Sequence, residues 1–282
     1  MTATAKPSDA LLEEFGVSDP AFLTETPIAR LWRVTRGCGG PAVLKVYRGR
    51  GSGGEAAGFG YLRDAPQAQA VRIYAVSTNA ALIEWLPGPS IGDTARSGDL
   101  AGADRLLLQT ARALHAGASG AEASFLPLEE RFSALRAFQP RSLPGGRLRD
   151  GLERGRGLAL HLLATQTDTC ALHGDLHHEN VRLGARGYCA FDAKGLRGER
   201  AYELANAFRH PRGCTRGLQD PDVIRRRADQ WSAGLGCSAK RLLAWAAAKC
   251  ALSVVWRHSE PAETDPETDL LMALLQAHSE RE

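Results

Sequence analysis

The sequence predicts an α+β protein of two lobes, in which a small antiparallel sheet precedes a mostly helical part. Three observations predict it. Apolar and polar side chains alternate with period two in segments between residues 21 and 86. A Pro-Gly-Pro segment at residues 87–89 ends the last of them. Apolar residues then recur at helical spacing, first at residues 99–116. We therefore expect an N-terminal lobe at residues 1–87 and a C-terminal lobe at residues 88–282.

The first lobe begins with a short predicted helix, followed by strands at Ala21–Glu25, Leu31–Arg36 and Ala42–Tyr47. Lys45 lies among apolar neighbours in the third of these strands, which is unusual for a lysine unless its ammonium meets an anion. The alternative is a lysine on an edge strand whose head reaches water. Lys45 is therefore a candidate for a phosphate-binding residue.

A glycine-rich stretch at residues 49–60 opens a predicted helix that runs through Leu62. It contains Gly51-x-Gly53-x-x-Ala56, a partial dinucleotide-binding pattern. Such a site requires a parallel strand after the helix. Residues 71–76 and 80–86 read instead as an antiparallel pair, so the pattern does not favour a dinucleotide site.

The second lobe is predicted to be helical outside its central stretch. After the helix at residues 99–116, a break at residues 140–146 separates two further helices, and four more follow the central stretch. The predicted helices are Leu126–Phe138, Leu148–Leu163, Arg200–Phe208, Pro221–Ala233, Lys240–Trp256 and Asp269–His278.

The most informative stretch is Ala171–Asp192, which carries Asp175 and Asn180 five residues apart on a predicted loop. Two short apolar strands around a glycine-containing turn follow this loop, and the second strand ends at Asp192. A hairpin there folds Asp192 back beside the loop. Three oxygen-bearing side chains then converge, as Mg²⁺ requires when it also binds phosphate oxygens.

The segment Leu172–Val181 (LHGDLHHENV), followed by Asp192-Ala193-Lys194-Gly195-Leu196 and Gly198-Glu199, resembles the aminoglycoside phosphotransferase family. The similarity is to its streptomycin 6-kinase and hydroxyurea phosphotransferase branch. The resemblance implies a protein-kinase-like fold and an ATP- and Mg²⁺-dependent transfer to a hydroxyl group of a small molecule. The implied acceptor is an aminoglycoside antibiotic of the streptomycin type, which the enzyme would inactivate. Hydroxyurea or another small metabolite is the alternative acceptor.

The same resemblance implies roles for individual residues. Asp175 is the catalytic residue that orients the acceptor hydroxyl and receives its proton. Asn180 and Asp192 hold Mg²⁺. Lys45 neutralises charge on the phosphates and pairs with Glu55, which is expected in the first turn of the predicted helix.

The adenine pocket is expected where the last sheet strand meets the linker, at Ile83, Glu84 and Leu86. One departure from the kinase pattern concerns the cover of the triphosphate. The segment between Glu25 and Leu31 contains no glycine-rich turn, and Arg30 is the candidate there for contact with the triphosphate.

A streptomycin-type acceptor carries guanidinium groups, which favour carboxylate partners. Glu179, Glu199 and Glu203 are close in sequence to the loop and are the candidates for substrate binding. The alternative is that these residues are solvated or stabilise a helix terminus.

Two other functions compete with the kinase prediction. In a metal-dependent hydrolase, His173, His177, His178 and Asp175 would bind zinc. Gly174 and the lack of apolar periodicity disfavour the helix that such spacing needs. A nucleotide-binding pseudokinase is the other alternative; retention of Lys45, Glu55, Asp175, Asn180 and Asp192 argues against it.

The composition limits the function classes further. The chain has 282 residues, of which 44% are hydrophobic and 24% charged, with a net charge of +3. This charge is too small and too evenly spread to favour nucleic acid. We see no membrane-spanning run and no secretory signal, and the six cysteines are scattered, so we expect a cytoplasmic protein. The oligomeric state is not predicted.

Overall fold

The computed structural model describes residues 6–49, 51, 55–117, 125–139, 145–258 and 264–281. An antiparallel sheet forms the N-terminal part and helices dominate the remainder, so the predicted α+β architecture is confirmed. The lobe boundary at residue 87 stays a prediction. No helix in the described ranges is long and apolar enough to cross a membrane.

The N-terminal sheet contains β1 (Val17–Glu25), β2 (Ala29–Arg36), β3 (Pro41–Tyr47), β4 (Ile73–Val76) and β5 (Ala80–Glu84). Its order is β1-β2-β3-β5-β4, and every neighbouring pair is antiparallel. Because β3 is the central strand, the edge-strand alternative for Lys45 is wrong. The antiparallel order also excludes a dinucleotide-binding βαβ unit in this sheet. Gly53 of the partial dinucleotide pattern lies outside the described residues.

The described residues form two hydrophobic cores. One face of the sheet packs against α1 (Asp9–Glu14) and buries Val17, Trp32, Val34, Ala42, Leu44, Ala80 and Leu82. The second core is larger and joins the C-terminal helices. The helix α2 (Ala56–Asp64), although it follows β3 in the chain, buries Tyr61 and Leu62 in this second core.

The helices of the C-terminal part are α3 (Ile91–Arg96), α4 (Leu100–Ala116), α5 (Leu128–Arg131), α6 (Ser133–Ala137), α7 (Arg147–Ala164), α8 (Thr215–Leu218), α9 (Pro221–Leu235), α10 (Ala239–Arg257) and α11 (Thr268–Ser279). Most of α10 is buried, and it packs against α7, α9 and α11. Four of these C-terminal helices begin at side chains that accept a backbone N–H bond, namely Ser90, Asp99, Asp220 and Ser238.

Two predicted helices are wrong in part. The segment predicted as one helix at Leu126–Phe138 consists of β6 (Leu126–Pro127), α5 and α6. The segment predicted as Arg200–Phe208 forms two 3₁₀ turns, Arg200–Tyr202 and Ala205–Arg209. Glu203 and Asn206 of this segment bond to the loop at residues 173–180, which we call the catalytic loop. These tertiary contacts override the local helix propensity.

A small sheet that the sequence did not predict supports the catalytic loop. The strands β7 (Thr169–Leu172) and β10 (Leu196–Glu199) pair antiparallel, and β6 joins β10. The predicted hairpin is confirmed as β8 (Val181–Gly184) and β9 (Gly187–Ala190). The loop therefore leaves one small sheet and enters another, which fixes both of its ends.

Candidate active site

The catalytic loop connects β7 to β8 and brings the three predicted residues together. The Asn180 amide donates to the backbone oxygen of Asp175 at 3.0 Å. After the hairpin, the backbone N–H of Phe191 donates to the backbone oxygen of Asn180 at 2.9 Å, which places Asp192 beside the loop. Asp192 has a φ of 59°, a left-handed conformation that is strained for a residue with a side chain. Strain of this kind is concentrated at functional sites.

His173 and Glu203 brace this loop from inside the protein. His173 accepts the Asp175 N–H at Nδ1 (3.3 Å), so its Nε2 carries the proton and donates to the Phe191 oxygen (3.1 Å). The Glu203 carboxylate accepts the backbone N–H groups of His173 and Gly174, both at 3.0 Å. Burial favours the neutral acid, but His115 and these N–H groups outweigh it and lower the pKa of Glu203.

The three acidic residues predicted to bind a substrate all have partners within the protein. The Glu203 side chain is fully buried beneath the loop. Glu199 is buried and forms an ion pair with Arg241 of α10. Glu179 accepts from His210 Nδ1 at 2.7 Å and from the backbone N–H of Arg212 at 2.9 Å. Glu199 and Glu203 are therefore directed into the interior, whereas Glu179 is partly exposed, and a substrate role for these carboxylates stays a prediction.

The zinc set of the hydrolase alternative does not converge. His173 is engaged with Phe191, and His178 is buried against Asp104 of α4 at 3.0 Å. His177 lies instead in the cavity in front of the loop, stacked on His210 with 3.7 Å between ring centroids. This arrangement does not support a zinc hydrolase built from the predicted residues.

On the opposite side of the loop, Lys45 and Glu55 form the predicted ion pair. The Lys45 ammonium is 2.6 and 2.7 Å from the two Glu55 oxygens, and the Tyr47 hydroxyl donates to Glu55 at 2.6 Å. Burial alone would raise the pKa of Glu55, but the charge of Lys45 outweighs it, so the pKa is lowered. Glu55 occupies the N-cap position of α2 without a side-chain capping bond, and it thus precedes the first turn in which it was predicted. Lys45 also approaches Asp192 at 4.0 Å.

The helix α2 rests directly on the segment that follows Asp192. A Cβ atom on Gly58 would lie 1.9 Å from the backbone oxygen of Ala193, and one on Gly195 would lie 2.3 Å from the backbone oxygen of Ala57. Gly195 also has a φ of +62°. Only glycine permits this contact, because any side chain would separate the two backbones. The contact holds α2, and with it Glu55, at a fixed distance from Asp192.

An apolar cleft of about 310 Å³ lies between the sheet and the hairpin, and Ile83, Glu84 and Leu86 all line it. Its other apolar walls include Leu31, Val43, Val71 and Phe191. The Glu84 side chain is held by Arg186 of the hairpin turn. Within the described part of the chain, the backbone N–H of Leu86 donates no hydrogen bond. The residues predicted to bind adenine thus line the same cleft, and the backbone N–H of Leu86 is available there as a hydrogen-bond donor.

The loop also offers suitable ligands for Mg²⁺. Asn180 uses its amide nitrogen for Asp175, and its Oδ1 accepts no hydrogen bond from any described residue. The Asp192 carboxylate is 37% exposed and approached only by lysines, at 3.4 and 4.0 Å. Carboxylate and amide oxygens are the ligands that Mg²⁺ prefers. The two predicted metal residues therefore fit the ion.

Three functional candidates were missed by the sequence analysis. Lys194 lies 3.4 Å from an Asp192 oxygen and 4.0 Å from an Asp175 oxygen. The Asn206 amide donates to Asp175 Oδ1 at 2.8 Å, and Lys249 lines the cavity in front of Asp175. Lys194 was visible in the motif after Asp192. The other two lie in segments that read as ordinary helix, where no local pattern distinguishes them.

The electrostatic surroundings keep Asp175 ionised. Burial by itself would raise the pKa of this carboxyl group. The positive charges of His177, Lys249 and Lys194 outweigh burial and hold the pKa of Asp175 well below its usual range. An ionised carboxylate that faces a cavity can accept a proton from a bound hydroxyl group.

Comparison with known proteins decides the family. A family model described as aminoglycoside/hydroxyurea antibiotic resistance kinase matches residues 15–260. The chain belongs to this family. It is also 35% identical to streptomycin 3''-kinase of Klebsiella pneumoniae over 226 residues, which are 77% of this chain and 79% of that protein. The enzyme is therefore a phosphotransferase that acts on a hydroxyl group, as the sequence analysis predicted.

Solved structures confirm the kinase-like fold of this family member. The aminoglycoside phosphotransferase APH(4)-Ia, in a ternary complex with ADP and hygromycin B, is 15% identical with a TM-score of 0.59, covering 96% of each chain. A choline/ethanolamine kinase family protein from Mesorhizobium loti is 14% identical with a TM-score of 0.62, covering 95% of this chain and 90% of that one. At these identities the likeness establishes the fold alone.

Proposed function

We propose that this phosphotransferase transfers the γ-phosphoryl group of ATP, with Mg²⁺, to a hydroxyl group of a small molecule. The observation that carries the proposal is the position of Asp175 and Asp192 between two cavities. The apolar cleft, together with the adjoining pocket that Lys45 and Asp192 line, suits a nucleotide, and the cavity in front of Asp175 suits an acceptor. That second cavity is about 500 Å³, within the usual range of small-molecule sites.

In this proposal, Asp175 orients the acceptor hydroxyl and takes its proton while the new oxygen–phosphorus bond forms and the bond to ADP breaks. The transition state is mostly dissociative, so positioning contributes more than basicity. Asn206 holds the carboxylate through its 2.8 Å hydrogen bond. Lys45 and Lys194 offset negative charge on the transferring group. Mg²⁺, held by Asn180 and Asp192, would supply charge neutralisation at the phosphates.

The acceptor class is part of the proposal. Family membership and the relative named streptomycin 3''-kinase support an aminoglycoside of the streptomycin type, and hydroxyurea is supported by the family description. A different small metabolite is a second candidate, which the charges around Asp175 favour. A cytoplasmic location, predicted from the scattered cysteines, belongs to the same proposal.

The test is an Mg²⁺- and ATP-dependent assay against streptomycin, other aminoglycosides and hydroxyurea, with the phosphorylated product detected by mass spectrometry. A product that requires Mg²⁺, ATP and the acceptor supports the proposal, and the acceptor identifies the substrate class. Mg-nucleotide binding without transfer to these acceptors retains the site assignment and redirects the search to other hydroxyl compounds. Absence of Mg-nucleotide binding contradicts the proposal, and it also excludes the nucleotide-binding pseudokinase alternative.

A further inference from the structure

The cavity in front of Asp175 is lined mainly by basic residues. Five basic side chains reach it, namely Arg131, Arg209, Arg212, Lys249 and Arg257. The acidic side chains that line it in the described structure are Asp175 and Glu267. Glu267 is already paired with Arg209 at 2.7 and 2.8 Å, and it also accepts from Arg257 at 3.0 Å. The positive charge of the wall is therefore only partly compensated.

Lys249 is the least compensated of these residues. It lies in the buried helix α10 and is only 2% exposed. Its ammonium donates to the Ser253 hydroxyl at 2.8 Å, and no carboxylate of the described chain lies within ion-pair distance. A buried ammonium without an anion carries a large desolvation penalty. Burial, reinforced by the charge of Arg209, lowers the pKa of Lys249 to about 7.

Arg131 approaches the same place from α5. Its guanidinium carbon is 4.3 Å from the centroid of the Trp256 ring, and the Lys249 ammonium is 5.1 Å from that centroid. The Nε atom of Arg131 is buried and has no hydrogen-bond partner. Among the described residues, no acidic side chain pairs with Arg131. Two cations that lack carboxylate partners are thus held against one aromatic ring at the wall of the acceptor cavity.

Asp175 forms no ion pair with either cation, although its charge interacts with that of Lys249 across the cavity. Its Oδ1 accepts from Asn206, and its Oδ2 is approached by Lys194 at 4.0 Å. Asp175 and Lys249 line one cavity without forming an ion pair. An acceptor whose hydroxyl meets Asp175 therefore places its neighbouring groups beside Lys249 and Arg131.

We propose that Arg131 and Lys249 form an anion-binding subsite of the acceptor cavity, and that the acceptor is a hydroxyl compound that carries a carboxylate or phosphate group. This proposal rests on the proposed function and deepens it by naming the substrate class. Carboxylates and phosphates are the natural partners of a guanidinium beside an ammonium. A streptomycin-type acceptor would bring its own guanidinium groups against these cations, which is unfavourable in a desolvated pocket.

The experiment measures anion binding directly, with the nucleotide site saturated by Mg-AMP-PNP. Sulfate, as the phosphate analogue, and acetate, as the carboxylate analogue, are titrated separately by calorimetry or by tryptophan fluorescence. The anion that binds with the higher affinity shows whether the subsite prefers a phosphate-like or a carboxylate group. The variants are Lys249→Met and Arg131→Gln. Lys240→Met, an exposed lysine on the same helix, is the matched control.

We expect saturable binding of at least one anion to the wild type and to Lys240→Met, weakened at least ~10-fold in Lys249→Met and in Arg131→Gln, as expected for loss of a charged hydrogen bond. Equal anion affinity in wild type and both variants, or no saturable binding, overturns the subsite. If the Lys249→Met variant does not fold, the anion affinity of the Arg131→Gln variant alone tests the subsite. Failure of Mg-AMP-PNP binding contradicts the proposed function instead, so the two failures are distinguishable.

Discussion

The cavities that we propose for the nucleotide and for the acceptor lie on either side of the same loop, and their lining residues differ in polarity and charge. The cleft is apolar, and Lys45 in the pocket that adjoins it is paired with Glu55 at 2.6 Å. The acceptor cavity is polar, and its buried Lys249 has only a hydroxyl partner. A compensated charge indicates a site that is complete apart from its nucleotide. The buried charge of Lys249 lacks an anionic partner, which indicates that the ligand of the acceptor cavity supplies the anion.

The two regions also differ in how the chain builds them. The cleft uses four antiparallel strands (β1, β2, β3 and β5) and the hairpin after the loop. The acceptor cavity collects side chains from α5, the loop, the 3₁₀ turn Ala205–Arg209 and α10. The first arrangement follows from local patterns, whereas the second depends on how distant helices pack.

The largest effect on ligand affinity is expected for Asp192→Ala, which should affect the nucleotide side and not the acceptor side. Loss of a residue that merely supports a metal ligand lowers metal affinity by about 10- to 100-fold, so loss of the ligand itself should weaken Mg-AMP-PNP binding by ~100-fold or more. Anion affinity in the acceptor cavity should not change. Calorimetry of both ligands measures this, with the exposed Asp269→Ala as control. Unaltered nucleotide affinity would remove Asp192 from the metal site.

Gly58→Ala tests the backbone contact between α2 and the segment after Asp192. The added methyl group would lie 1.9 Å from the Ala193 oxygen, so we expect destabilisation of ~1–3 kcal/mol by overpacking. The matched control is Gly157→Ala in α7, where a Cβ meets nothing within 4 Å and stability should rise by ~0.5–1 kcal/mol. Denaturant unfolding measures both. Equal stability changes in the two variants would show that the contact is not tight.

Asn206→Ala tests whether the acceptor side positions the catalytic carboxylate. Loss of its hydrogen bond to ionised Asp175 should lower kcat about 10-fold. The affinities for Mg-AMP-PNP and for the anion should remain unchanged, because Asn206 acts through Asp175. Asn79→Ala, at an exposed turn of the sheet, is the control. A rise in the acceptor KM with unaltered kcat would instead make Asn206 a binding residue.

The pH dependence of anion binding gives the smallest expected effect. Because the pKa of Lys249 is lowered to about 7, its charge is present below that pH and lost above it. Sulfate affinity should be constant below about pH 7 and fall by up to ~10-fold per pH unit above it. The groups that influence this ammonium are Arg209, Asp175, Arg131 and Cys250. In Lys249→Met the affinity should not vary around pH 7; the same decline there would assign the titration to another group.

Much of the fold and of the nucleotide side could be predicted from the sequence. The alternation at residues 31–36, the partner strand at residues 42–47 and the Pro-Gly-Pro stop predicted the sheet. The loop motif predicted that Asp175, Asn180 and Asp192 lie close together, and the structure brings them together. Lys45 was recognisable because a lysine within an apolar strand needs an anion. Such inferences succeed because each relies on residues that are neighbours in the chain.

The acceptor side could not be predicted in this way. Glu199 and Glu203 were placed in the substrate site because they are close to the loop in sequence, yet packing directs both into the interior. Lys249 interrupts the apolar middle of α10, and nothing local shows that it faces Asp175. The charge of this cavity results from tertiary packing, which sequence spacing does not determine.

The most direct test of the central claim is Asp175→Asn, which keeps the shape of the side chain and removes its charge. Turnover should fall about 10²- to 10⁴-fold, the usual contribution of a general base. The affinity for Mg-AMP-PNP should be unchanged, and that for sulfate equal or higher, because a negative charge leaves the acceptor cavity. Full activity in this variant, or loss of nucleotide binding with it, would contradict a phosphoryl-transfer centre between two separate pockets.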